Sequence, residues 1–124
     1  MIGTTRSLRV FAYPAPCDLR KGFDALHRLV RESMCRSIQT GDAFLFVNRR
    51  RDRAKILYWD GTGMCLFAKR LESGRFPKLW DREEFTPRGI ELTFSELSLF
   101  LEGCEAEEID ELSPPEFRLG ESAA

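Results

Sequence analysis

The chain has 124 residues, 43% of them hydrophobic and 31% charged, with ten Phe and two Trp. That is enough apolar mass for one folded domain, too little chain for two ordinary domains, and too hydrophobic a balance for a disordered protein. No apolar run is longer than five residues, so no membrane helix is expected, and Met1 to Arg9 has no apolar segment behind its charges to serve as a secretory signal. The expected compartment is the cytoplasm, with no membrane partner.

The net charge of −1 conceals two halves of opposite sign. Residues 1–80 carry 16 Lys and Arg against 7 Asp and Glu, whereas residues 81–124 carry 3 against 13. This pattern predicts a basic body, residues 1–104, with an acidic, mobile tail over 105–124. Cys17, Cys35, Cys65 and Cys104 form no CxxC pair and have no histidine cluster nearby. They are expected as reduced thiols, with no metal and no cofactor.

In chain order, Leu8 to Tyr13 predicts a short strand stopped by Pro14 and Pro16. Leu19, Phe23, Leu26, Val30 and Met34 then follow helical spacing, which predicts a first helix over about 19 to 35 with Asp18 as its cap. Gly22 weakens the first turn and favours a later start. Asp24, Arg28 and Glu32 are spaced for i,i+4 ion pairs.

Three strands follow, Ala43 to Asn48, Ala54 to Trp59 and Met64 to Leu71, expected as an antiparallel meander with Asp60-Gly61-Thr62-Gly63 as its second turn. Both faces of these strands are apolar, so each must be covered, by the chain itself or by another molecule. Gly89 to Leu92 predicts an edge strand. Thr93-Phe94-Ser95-Glu96 matches a capping box for a second helix ending near Gly103. The fold class expected is α+β, an antiparallel sheet of about four to five strands packed with two helices.

Catalytic chemistry has little to work with. His27 is the single histidine, and its helical position beside Phe23, Val30 and Met34 predicts a partly buried core residue rather than a base. The aspartates have simpler roles as caps, ion-pair partners and turn residues, and Gly61-Thr62-Gly63 lies between strands rather than opening a helix as a phosphate loop would. No catalytic residue and no metal ligand is assigned. Tyr58 and Trp59 could stack on bases, but a strand ending in an Asp-Gly turn accounts for them as packing residues.

The cations are more informative. Arg49, Arg50, Arg51, Arg53 and Lys55 fall within seven residues at a loop between two apolar strands. The next strand and its end add Lys69, Arg70 and Arg75, and the start of the first helix adds Arg20 and Lys21. A cationic surface of this kind suits phosphate contacts, which are strong, salt-sensitive and indifferent to sequence.

Three blocks carry a family resemblance: Asp18-Leu19-Arg20-Lys21-Gly22-Phe23-Asp24-Ala25-Leu26, Lys55-Ile56-Leu57-Tyr58-Trp59-Asp60-Gly61, and Lys69-Arg70-Leu71-Glu72-Ser73-Gly74-Arg75-Phe76. Together the chain resembles the TnpB accessory-protein family of insertion-sequence-66 transposons, from about Leu8 to Gly103. The resemblance implies a non-catalytic factor for DNA transposition, working beside a separate transposase of the same element and distinct from the unrelated RNA-guided nuclease that shares the name. The partners expected are that transposase, DNA, and a second copy of the chain. A module that docks on the transposase or on itself without touching DNA is the alternative. The segment Lys78-Leu79-Trp80-Asp81 and the acidic tail depart from the family pattern.

Overall fold

The computed structural model describes residues 9–80 and 88–104. The acidic tail, the first eight residues and residues 81–87 lie outside the described residues. Five strands form one sheet: β1 (Val10–Ala12), β2 (Ala43–Val47), β3 (Arg53–Trp59), β4 (Met64–Arg70) and β5 (Ile90–Leu92), in the order β4-β3-β2-β1-β5. The helices are α1 (Phe23–Arg28), which continues as a π-helical turn over Leu29–Ser33, and α2 (Phe94–Glu102).

The fold is α+β, with the sheet mostly antiparallel rather than wholly so. β2, β3 and β4 make the expected meander, and β5 pairs antiparallel with β1. β1 runs parallel to β2, Val10 opposite Ala43 and Ala12 opposite Leu45. The reason is the connection: the segment from Pro14 to Asp42 carries α1 across one face of the sheet, and such a crossover returns the chain in the same direction.

Alternation along the strands divides the core into two layers. Phe11, Phe44, Phe46 and Leu57 face α1 and pack with Leu26, Val30, Met34 and Ile38. Val10, Ala12, Leu45, Val47, Ala54 and Ile56 face the other way, against Phe76, Leu79, Leu97 and Phe100. Phe76 and Phe100 stack with ring centroids 5.1 Å apart. Both apolar faces of the central strands are thus covered by the chain's own helices and by the stretch around Phe76. Each fully buried Leu or Phe in these layers contributes roughly 1.5–3 kcal/mol.

The helix ends depart from expectation in one case and follow it in the other. Asp18 does not cap α1: its carboxylate accepts from the backbone N and the guanidinium of Arg20, and α1 starts later, at Phe23, with Gly22 as an uncapped N-terminus. Leu19 is buried from the preceding loop, while Phe23 is 45% exposed. The π-helical turn also changes the phase of the surface residues, so Glu32 pairs with Arg31 at 3.6 Å instead of with Arg28. In α2 the capping box is complete, Glu96 N donating to Thr93 Oγ1 (3.0 Å) and Thr93 N to Glu96 Oε1 (2.8 Å). Gly89, at φ +98°, leads into β5 where a Cβ would stand 2.6 Å from the carbonyl oxygen of Ala12.

Candidate nucleic-acid interface

The cation-rich loop between β2 and β3 is held by one side chain. Asn48 Oδ1 accepts from Asp52 N (3.1 Å) and Arg53 N (3.0 Å), and its Nδ2 donates to Asp52 Oδ1 (2.7 Å). Arg51 takes the left-handed conformation, φ 62°, that lets the chain reverse. From outside the loop, Leu71 N donates to Asp52 O (2.8 Å) and Phe76 N to Arg51 O (2.7 Å). The turn is therefore fixed on two sides, and the cations it carries are presented from a rigid base.

The crossover brings Arg20 to this turn. One cleft of about 450 Å³ is lined by Pro16, Cys17, Asp18, Leu19, Arg20, Asn48, Arg49, Arg50, Asp52 and Arg53. A second, of about 460 Å³, shares Leu19 and Arg53 with it and adds Lys55, Ala68, Lys69, Arg70 and Glu72. The two clefts are neighbours with Leu19 and Arg53 as shared walls, and together they form one cation-lined path. Cys17 N bonds to Val47 O at 2.9 Å, which anchors the loop carrying Arg20 to the end of β2.

The carboxylates of the path are each beside an arginine. Asp18 pairs with Arg20 at 2.8 Å, Asp52 with Arg50 at 3.8 Å, and Glu72 with Arg70 at 3.7 Å. Hydrogen bonds from Arg20 hold the Asp18 carboxyl well below the usual carboxylate range. The Asn48 amide, with help from Arg50, lowers that of Asp52. Among the described residues Arg49 and Arg53 have no ion-pair partner. Lys55 donates to the backbone oxygen of Lys21 (3.1 Å), tying β3 to the start of α1.

The structure therefore brings together Arg20, Arg49, Arg50, Arg53, Lys55 and Arg70, and separates the other sequence candidates from them. Lys69 borders the second cleft, but its ammonium points to the opposite face of the sheet and donates to Leu101 O at the end of α2 (2.8 Å). Arg75 bridges Cys104, also at the end of α2. Arg51 contributes backbone geometry and Lys21 its carbonyl; neither lines either of these two clefts. Lys69 and Arg70 are adjacent in the chain, and the pleat sends them to opposite faces. Tyr58 and Trp59 pack into the two core layers at the far end of β3 from Arg53, and His27 is half-buried on α1. Asn48, which holds the turn of the candidate site, is the residue that sequence reasoning passed over. Its position directly before the arginine run, as an amide able to bond the backbone of a turn, was the available signal.

No helix among the described residues is long and apolar enough to cross a membrane, and no group of three or more metal-binding side chains occurs among them.

Among characterised sequence families, the profile described as IS66 Orf2 like protein matches residues 8–111. Two proteins of Sinorhizobium fredii (strain NBRC 101917 / NGR234) are similar to the chain. Uncharacterized protein y4jC is 43% identical over 76 residues, covering 61% of this chain and 65% of its own length. Uncharacterized protein y4hO is 32% identical over 105 residues, covering 85% of this chain and 88% of its own. No solved structure matches. The chain belongs to the IS66 Orf2-like family, which is associated with the IS66 insertion sequence and with transposition.

Proposed function

We propose that this protein is a non-catalytic accessory factor for transposition that binds the sugar-phosphate backbone of DNA, free or already held by the transposase, along the path lined by Arg20, Arg49, Arg50, Arg53, Lys55 and Arg70. The observation that carries the reading is the cross-strand pair Arg53 and Arg70, directly opposite each other on one face and opening into a concave cleft. Like charges in that position destabilise a sheet, by up to about 1 kcal/mol. A bound phosphate would convert the repulsion into two charge-assisted hydrogen bonds.

Backbone contact is favoured over base reading because the path offers guanidinium groups from a rigid turn, which match phosphate oxygens whatever the base sequence. The experiment is a titration of duplex DNA, with and without the ends of the mobile element, across a range of salt concentrations. Affinity should fall with a log-log slope of about −0.9 for each phosphate neutralised. Substitution of Arg53 or Arg49 by Gln should lower the slope by about one, on random and end-containing duplexes alike. Absence of binding at low salt, both with and without the transposase of the same element, would sink the DNA reading.

A further inference from the structure

Among the described residues both sheet faces are covered and the sheet is open at its edges, and the two edges differ. β5 has 3 residues and a central glutamate, Glu91. β4 has 7 residues paired one-to-one with β3 without a bulge. Its first five positions, Met64 to Ala68, contain no charge and no proline, the usual protections of an exposed edge. Phe67 is 45% exposed there. Of the two cations that end the strand, Lys69 is already turned away to Leu101 O.

The hydrogen-bond phase says which groups point outward. Asp60 N donates to Gly63 O and Leu71 N to Asp52 O. By alternation, Cys65, Phe67 and Lys69 direct their backbone groups to β3, and Met64, Leu66, Ala68 and Arg70 direct theirs outward.

We propose that two copies of the chain join β4 to β4, antiparallel and centred on Phe67, to form one continuous sheet. In that register Met64 faces Arg70 of the other copy and Leu66 faces Ala68, and both pairs exchange outward backbone bonds. Phe67 meets its own copy across a non-hydrogen-bonded position, where side chains come closest. The charges agree. The two Arg70 side chains lie roughly 20 Å apart along the strands, and each falls beside the turn that carries the other copy's Asp60.

Neighbouring registers are worse. A slip of one residue places outward groups opposite groups already bonded to β3. A two-residue slip one way sets Lys69 against Phe67. The opposite slip sets Glu72 against Asp60.

A second copy is favoured over a foreign strand because this edge is its own complement in pattern and charge. Since strands paired this way keep the same face up, both α1 layers and both arginine clefts come to one side of the joined sheet. The pairing goes beyond DNA binding and does not depend on it.

The test is the mass of the full-length protein in solution without DNA, by light scattering across a concentration series, with two variants whose folding is checked by circular dichroism. The wild type should rise from monomer mass toward twice that value. Phe67→Lys places two ammonium groups on the axis and should weaken association by about tenfold or more. Phe67→Cys, in a Cys35→Ser background, should form a covalent dimer under mild oxidation, because non-hydrogen-bonded antiparallel partners fall within disulfide reach. A wild type that remains monomeric at every concentration would overturn the proposal. So would a dimer that Phe67→Lys leaves intact and Phe67→Cys fails to cross-link. A wild type that dimerises but binds no DNA would count against the DNA reading alone.

Discussion

Arg53 and Arg70 stand directly opposite each other across β3 and β4, on the face that carries α1, and Glu72 is the acid that reaches Arg70, at 3.7 Å. A pair of this kind lowers the stability of the free protein and raises its attraction for anions. Arg70→Gln should therefore increase stability to denaturant, by up to about 1 kcal/mol, while weakening DNA binding. Urea unfolding and salt-dependent binding of one variant check both signs. A variant that loses both stability and binding would mean that Arg70 is structural.

Lys69 should behave differently from its neighbour. Its ammonium donates to Leu101 O, at the negative end of α2. Lys69→Met keeps the stem and removes the charge, and should cost roughly 1–2 kcal/mol of stability with little change in the salt dependence of DNA binding. The contrast between Lys69 and Arg70 tests the assignment of the two sheet faces.

Asn48 carries the turn without carrying charge. Replacing it with Ala leaves Asp52 N and Arg53 N without their acceptor and removes a 2.7 Å bond to the Asp52 carboxylate. A loss of roughly 1–3 kcal/mol is expected. DNA affinity should fall as well, since Arg49, Arg50 and Arg53 would lose their fixed placement. Faster amide exchange over residues 49–53 would identify the mechanism.

Asp60 gives a pH signature. Hydrogen bonds from Thr62, from Cys65 and from Gly63 N lower its carboxyl from 3.8 to about 2. Because the folded value is depressed, the stabilisation from this group is fully present above the unfolded value and is lost as pH falls from about 4 to about 2. A side-chain NMR titration should place its midpoint near the lower limit. In Asp60→Asn, acid unfolding should be less steep across that window.

Local chemistry was legible before the fold was known. The paired apolar faces of Ala43 to Val47 required cover on both sides, and Asp60-Gly61 and Thr93 to Glu96 marked a turn and a capping box that both formed. Each depends on neighbours within a few residues, where bonding geometry leaves few alternatives. The first helix was legible as an element but not at its ends. Asp18 found Arg20 two residues away before it could cap anything, and the π-helical turn shifted the charged face.

The sequence by itself determined that a run of cations would stand on a turn between two apolar strands. The tertiary structure decided which of them act together. Arg20 reaches Arg49, Arg50 and Arg53 because the crossover docks its loop on the end of β2, a contact between distant parts of the chain. Lys69 and Arg70 part company because side chains alternate along a strand, so the β3 to β4 register, fixed by burial of Ile56 and Leu57 on opposite faces, sends one to α2 and the other to the cleft.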